Sequence, residues 1–210
     1  MKKRIILFLI FCLVLTASVP AFGSSKTNME RFVRHASNHV GDNYKSFKDR
    51  KSFTSDWCVQ FIEHCSNQAG LKKAIPTSGC YYVNDIAYNM VNKKGATIVF
   101  VNKKFYDKKK SYFAGKKKFN TSYKPRKGDL IIFSDTSLYY WQHIGIVRAN
   151  CSSNLRNVPT IEGNTYPDGF KKSKMTYKTS HVMKKYRNDH KYKNAKYNNL
   201  YIVAYIKPKY

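Results

Sequence analysis

The 210 residues include 39 lysines and arginines against 12 aspartates and glutamates, for a formal net charge of +27 at pH 7. Aromatic residues make up 15% of the chain, which argues against a disordered polycation and predicts a folded core. A charge of this size attracts polyanions, but it does not say which one. Outside a cell the candidates are teichoic acids, anionic lipid head groups and nucleic acid.

The first 23 residues have the layout of a secretory signal peptide. A basic start at residues 2–4 precedes an apolar run, Ile5–Leu15, and small residues follow it, with cleavage expected after Ala21 or Gly23. The alternative is a retained membrane anchor, but the apolar run is shorter than the ~20 residues that a membrane-spanning helix needs. We therefore expect residues 24–210 to form one exported domain with no further membrane-spanning segment.

Apolar spacing predicts three helices in the first part of the mature chain. Met29–Val40 is the first. A second follows Ser55 or Asp56, either of which is a good N-cap, and it places Cys58 in its first turn. A third runs from about Tyr82 to Val91.

The first helix carries His35 and His39 one turn apart. Because no carboxylate or third ligand accompanies them in the sequence, we interpret them as surface histidines rather than a metal site.

The second half of the chain has the pattern of strands. Five segments are predicted to be strands, namely Thr97–Val101, Leu130–Phe133, His143–Arg148, Val158–Glu162 and Leu200–Ile206. Lys103–Lys127, between the first two, is interpreted as a long surface excursion. Helices followed by a mainly antiparallel sheet predict an α+β fold.

Cys58 has the sequence context of a nucleophile. A helix N-terminus stabilises negative charge, so the first turn favours the thiolate, which is the form that attacks. The same backbone N–H groups can serve as an oxyanion hole. A nucleophile of this kind also needs a base and a group that orients the base.

His143 is the best candidate for the base, because it opens a strand whose next residues are apolar. Glu162 and Asn164 flank a glycine at the end of the following strand, from which a carboxylate or amide can reach the far nitrogen of the imidazole. Taken singly, each of these residues has an ordinary structural explanation. Their order along the chain makes a compound signature.

Four segments carry a family resemblance, DWCVQFIEHCSNQAGL, PRKGDLIIF, HIGIV and TIEGNT, followed by the closing YIVAYIKPKY. Together they resemble the CHAP domain (cysteine, histidine-dependent amidohydrolase/peptidase) of the NlpC/P60 papain-like superfamily, over about Met29 to Tyr210. Asp129 in the second segment matches a family position, and we interpret it as a structural cap of the turn into the strand.

The resemblance implies a papain-like α+β fold, with the nucleophile at a helix N-terminus packed on an antiparallel sheet. By resemblance, Cys58 is the nucleophile, His143 the general base, Glu162 the residue that orients the imidazole, and Asn164 an auxiliary polar residue. The implied substrates are amide bonds of peptidoglycan, cut by an N-acetylmuramoyl-L-alanine amidase or an endopeptidase at the cell wall. No cofactor or metal is implied.

Two alternatives compete with the enzyme. Four cysteines follow the signal segment, and they could form two disulfides in any of three pairings. In each pairing Cys58 would be oxidised and could not act as a nucleophile. If Cys58 is free, one bridge such as Cys65–Cys80 is still possible. The second alternative is a secreted basic binding protein for wall polymers or nucleic acid, because residues 103–119 interleave lysines with aromatic residues. Nucleic acid is the less favoured partner, since no nucleic-acid-binding motif occurs.

Overall fold

In the computed structural model the residues described are 25–47, 57–134, 141–151, 157–166, 178, 180–187 and 200–210. The predicted signal peptide lies outside them. The helices are α1 (Ser25–Asn38), α2 (Cys58–Gln68), α3 (Val83–Tyr88) and α4 (Lys103–Lys109), with a π-helical continuation of α3 at Asn89–Lys93 and 3-10 turns at Tyr44–Ser46 and Lys110–Tyr112. Within these ranges no helix is both long and apolar enough to cross a membrane.

Seven strands form one sheet in the order β2-β1-β7-β3-β4-β5-β6. They are β1 (Thr97–Phe100), β2 (Lys116–Phe119), β3 (Leu130–Ser134), β4 (Trp141–Val147), β5 (Val158–Thr165), β6 (His181–Arg187) and β7 (Tyr201–Lys207). The β1–β2 pair is parallel, and the other neighbouring pairs are antiparallel. The predicted α+β class is confirmed, with one parallel pair at the sheet edge that the sequence analysis did not anticipate.

The prediction that Lys103–Lys127 is a long surface excursion is wrong in part, because this segment contains α4 and β2. Strand β2 has the sequence KKKF and is exposed at all four positions. It lies at the edge of the sheet, where neither face needs to be apolar and where lysines discourage pairing with another chain. Such a strand lacks the alternation by which strands are recognised.

The main core lies between the helices and the sheet. It includes Phe32 of α1, Phe61 and Ile62 of α2, and Ile144 and Ile146 of β4, none of which has measurable exposure. A second, smaller apolar cluster contains the residues that alternate with these along β3 and β4, among them Ile131, Phe133 and Val147. Alternating strand residues point to opposite faces, so the sheet is buried on both sides here.

The contact between α2 and β5 fixes the position of the first turn of α2. A Cβ added to Gly163 of β5 would come within 2.6 Å of Phe61 Cβ, so only glycine allows this close approach. The N-cap of α2 is Trp57, not the predicted Ser55 or Asp56, both of which lie outside the described residues. Cys58 is the first residue of α2, as predicted.

The turn before β3 is capped by Asp129, as expected from the sequence. Its Oδ2 accepts hydrogen bonds from the backbone N–H of Arg126 at 2.8 Å and from the hydroxyl of Tyr123 at 2.6 Å. Burial raises the pKa of the Asp129 carboxyl to about 6, although both bonds act to lower it. This carboxyl therefore makes the stability of the turn sensitive to pH.

Candidate active site

His143 and Glu162 form a buried pair across the sheet. His143 Nε2 lies 2.9 Å from Glu162 Oε2, and the side chains are 9% and 0% exposed. The carboxylate thus fixes the plane of the imidazole and accepts the proton on Nε2, which leaves Nδ1 as the other functional nitrogen.

The thiol of Cys58 is hydrogen-bonded to the same imidazole. Since Nε2 is directed at Glu162, Nδ1 is the nitrogen that remains for the thiol. Burial alone would lower the pKa of His143, but the hydrogen bonds and charges of Cys58 and Glu162 outweigh it and raise the pKa to about 9. The arrangement places the thiol next to an imidazole that can exchange a proton with it.

The second oxygen of the Glu162 carboxylate is also held. Thr160 lies two residues earlier on β5, and its Oγ1 donates a hydrogen bond of 2.5 Å to Glu162 Oε1. Thr160 is fully buried. The carboxylate is therefore fixed at both oxygens, between a hydroxyl on its own strand and the imidazole on β4.

A glycine on β4 makes room for this carboxylate. A Cβ added to Gly145 would come within 2.6 Å of Glu162 Cγ and 3.3 Å of the Ile131 side chain. Real Cβ atoms do not approach that closely, so the side chain of Glu162 occupies the space above Gly145. A glycine two positions after His143 is thus needed for the Glu162 side chain to reach the imidazole.

Asn164 contacts a different part of the site from the one expected. Its Oδ1 accepts a hydrogen bond of 2.8 Å from Ser180 Oγ, and Ser180 Oγ accepts one of 2.8 Å from Trp57 Nε1. Asn164 has a φ of 55°, in the left-handed region that asparagine tolerates better than most residues. The chain of bonds ties the end of β5 to the residue directly before Cys58.

The N-terminus of α2 presents backbone donors at Cys58. The first helical hydrogen bond runs from the N–H of Phe61 to Trp57 O, and Trp57 makes no side-chain capping bond. The N–H groups of the first turn therefore have no partner within the helix. They can stabilise negative charge on the sulfur or on an oxygen bonded to a carbon that the sulfur attacks.

A family model described as the CHAP domain matches residues 50–164, more than half of the chain. The chain belongs to the CHAP-domain family. The matched range contains Cys58, His143, Glu162 and Asn164. Membership indicates a cysteine- and histidine-dependent amidohydrolase or peptidase of the NlpC/P60 superfamily, a class that typically acts on peptidoglycan. The comparisons with curated proteins and with solved structures found no match.

The other thiols of the CHAP chain differ from Cys58 in their surroundings. Cys58, Cys65, Cys80 and Cys151 are all free, so the disulfides considered from the sequence, including Cys65–Cys80, do not occur among these residues. Burial raises the pKa of the thiols of Cys65, Cys80 and Cys151. Of these four described cysteines, Cys58 is the one that contacts His143.

His39, the residue directly after α1, is half-buried rather than at the surface as expected from sequence, and it contacts a carboxylate and a second histidine. His39 Nδ1 lies 2.8 Å from Asp42 Oδ2, and His39 Nε2 lies 3.2 Å from His64 Nε2 on α2. No group of three or more metal-binding side chains that could hold an ion occurs in the described part of the chain. His64 thus belongs to a contact between α2 and the turn that follows α1, separate from the imidazole at Cys58.

The structure brings Cys58, His143 and Glu162 into one array of thiol, imidazole and carboxylate. Sequence reasoning missed Thr160, Gly145, Ser180 and the indole of Trp57. Period-two alternation could have flagged Thr160, because it shares a strand face with Glu162, and a glycine inside a strand could have flagged Gly145. No sequence signal marks Ser180, since its place depends on the register of β6.

Proposed function

We propose that the protein is a secreted cysteine hydrolase that cleaves amide bonds of peptidoglycan, with Cys58 as nucleophile, His143 as acid and base, and Glu162 orienting the imidazole. The observation that carries the proposal is the buried His143, bonded to Glu162 through Nε2 and to the thiol of Cys58. A neutral surface thiol would be a weak nucleophile, whereas a thiolate paired with an imidazolium attacks at neutral pH.

Acylation follows from this array. The thiolate of Cys58 attacks the amide carbonyl carbon, and the oxyanion that forms is stabilised by the N–H groups at the start of α2. His143 then gives its Nδ1 proton to the leaving nitrogen, the C–N bond breaks, and the amine departs. The acyl group remains on sulfur as a thioester.

Deacylation reverses the roles of the imidazole. Neutral His143 takes a proton from water, the hydroxide attacks the thioester carbonyl, and the C–S bond breaks to release a carboxylate product and the thiolate. Glu162 stabilises the imidazolium in both half-reactions. All steps use side chains and backbone of the chain, so the proposal includes no cofactor.

Asn164 has an auxiliary role in this scheme. Through Ser180 it holds the indole of Trp57, the N-cap of the helix that begins at Cys58. We assign it to the positioning of the nucleophile helix rather than to contact with the reacting atoms.

The location and substrate of the enzyme rest on the family and on the N-terminal sequence. Residues 1–23 are proposed to be a signal peptide and residues 24–210 the single catalytic domain, released to the cell wall. Peptidoglycan is the typical substrate of CHAP domains. The bond cut is either the muramoyl-L-alanine amide or a peptide bond of the stem or cross-bridge.

The test is digestion of purified peptidoglycan, with the released fragments identified by mass spectrometry. Wild type is compared with Cys58→Ala and with Cys151→Ala, which removes a half-buried thiol outside the site. We expect fragments from wild type and Cys151→Ala and none from Cys58→Ala. Fragments from Cys58→Ala would exclude the mechanism, and no fragments from any wall type would favour a binding protein without catalysis.

A further inference from the structure

A basic surface lies at the sheet edge formed by residues 103–119, here called the basic edge. It comprises α4, the following 3-10 turn and β2. Its only acid is Asp107, against eight lysines, so its formal charge is +7. The lysines are Lys103, Lys104, Lys108, Lys109, Lys110, Lys116, Lys117 and Lys118.

The basic edge is held on a fixed frame. Phe105 and Phe113 are fully buried, and the ring of Phe113 stacks on Trp141 with centroids 5.7 Å apart and planes 12° apart. The N–H of Gly115 donates a 3.0 Å hydrogen bond to Asn92 Oδ1. Strand β2 is paired with β1 over four residues. The backbone that carries the lysines is thus anchored in the core, which reduces the entropy lost on binding.

The aromatic residues of this surface lie beside lysine ammonium groups, although the side chains of Tyr112 and Phe119 are exposed. Lys103 Nζ lies 5.4 Å from the ring centroid of Tyr106 and 5.6 Å from that of Phe119. Lys109 Nζ lies 5.9 Å from the ring of Tyr112. A nucleobase would compete with these ammonium groups for the faces of the rings, so the rings are a weaker stacking platform than the interleaved sequence suggested.

The positive charge of the basic edge is poorly compensated from within. Asp107 Oδ1 forms ion pairs with Lys103 Nζ at 2.8 Å and with Lys110 Nζ at 3.7 Å. Burial, and to a lesser extent the neighbouring charge of Lys108, lowers the pKa of Lys109. A bound polyanion would relieve this repulsion.

Three lysines are placed to make such contacts. Lys104, Lys116 and Lys118 are exposed, and within the described residues none of them forms an ion pair. Lys116 and Lys118 point to the same side of β2, with their backbones roughly 7 Å apart. Lys117 points to the other side and donates to Phe113 O at 2.6 Å. Lys117 therefore contributes to the fold, whereas Lys104, Lys116 and Lys118 remain accessible to a ligand.

We propose that the basic edge is a binding site for a polyol-phosphate polymer of the cell wall. Such a chain carries regularly spaced phosphodiesters and no bases, so it needs only the ammonium groups that this anchored backbone carries and no stacking on the rings. The site is separate from Cys58 and retains the enzyme on its insoluble substrate. Binding does not depend on hydrolysis, so it can be tested in the Cys58→Ala background.

The experiment compares two triple variants that lose the same charge. The site variant is Lys104→Gln, Lys116→Gln and Lys118→Gln. The control is Lys72→Gln, Lys73→Gln and Lys184→Gln, three exposed lysines of which the last lies on β6 at the opposite sheet edge. Affinity for labelled poly(glycerol phosphate) is measured against salt, with thermal unfolding to verify folding.

We expect the site variant to bind at least about tenfold more weakly at roughly 0.1 M salt, with a shallower salt dependence, and the control to stay within about twofold. Equal weakening of both variants would overturn the proposal in favour of diffuse charge. A single-stranded oligonucleotide with the same number of phosphates is the second probe. If the parent protein binds it about tenfold more tightly than poly(glycerol phosphate), the bases are recognised and the polyol-phosphate assignment is wrong.

Discussion

Thr160 Oγ1 lies 2.5 Å from one oxygen of Glu162, while the other oxygen of the same carboxylate lies 2.9 Å from His143 Nε2. The carboxylate is therefore clamped between a hydroxyl and an imidazole in a buried site. In such surroundings each hydrogen bond matters more than at the surface, because a lost partner is not replaced by water. The hydroxyl of Thr160 is thus predicted to orient the imidazole through Glu162.

Replacing Thr160 by valine keeps the shape of the side chain but removes the donor to Glu162 Oε1. We expect kcat to fall about tenfold with KM little changed, since the loss of one hydrogen bond in a buried site costs on the order of 1–3 kcal/mol. Thr160→Ser keeps the hydroxyl and should restore most of the activity. If valine and serine behave alike in steady-state hydrolysis of peptidoglycan fragments, the hydroxyl has no positioning role.

The raised pKa of His143 predicts the alkaline limit of activity. The folded-state pKa, about 9, lies above the ordinary histidine value of 6.5. The protonated imidazole therefore contributes stability that is fully present below pH 6.5 and is lost as the pH rises through about 9. Acylation needs this proton for the leaving amine, so kcat/KM should be maintained through neutral pH and fall as the pH approaches 9.

Glu162→Gln tests the cause of that limit. The change removes a negative charge that raises the pKa of His143, while the amide oxygen can still accept from Nε2. We expect the alkaline limb of kcat/KM for amide hydrolysis to move to lower pH. An alkaline limb at the wild-type pH in Glu162→Gln would mean that the carboxylate does not hold the imidazolium.

The proposed catalytic residues were more predictable from sequence than the residues that hold them in place. Cys58, His143 and Glu162 could be proposed from the sequence because a nucleophile at a helix start and a base at a strand start need specific residue types, and because their order resembles that of a known family. Thr160 and Ser180 are ordinary strand residues whose roles depend on side-chain direction and strand register, which only the folded sheet sets. Strand β2 was not predicted because an exposed edge strand has no buried face, and its sequence therefore lacks the alternation of apolar and polar residues.

Ser180 joins Asn164 to the indole of Trp57, and its removal should weaken the start of α2. Ser180→Ala leaves the buried Trp57 Nε1 without its acceptor and Asn164 Oδ1 without its donor. We expect a loss of about 1–3 kcal/mol in the free energy of unfolding, measured by urea titration, together with reduced kcat.

Ser66→Ala is the matched control for this variant. Ser66 is also buried, on the same helix as Cys58, but its hydroxyl donates to Glu63 O one turn earlier and so bonds within the helix itself. Its replacement should leave kcat unchanged and cost less than about 1 kcal/mol. Equal loss of kcat in both variants would show a general response of α2 to cavities rather than a specific bond chain.

Asp129 predicts a pH dependence of stability that is unrelated to the active site. Its pKa is raised by burial from 3.8 to about 6, so between these values the folded state binds more protons than the unfolded state. Stability should therefore fall as the pH rises through this window and then level off above about 6. A shift of this size corresponds to on the order of 3 kcal/mol.

Asp129→Asn should remove that dependence. The amide oxygen can still accept from the N–H of Arg126 and the hydroxyl of Tyr123, but nothing titrates, so the variant should equal or exceed wild type in stability at neutral pH and lack the decline between about pH 4 and 6. Urea titrations at several pH values measure both. A variant that is less stable at neutral pH but keeps the wild-type slope would mean that the charge of Asp129 supports the turn and that another group titrates in this window.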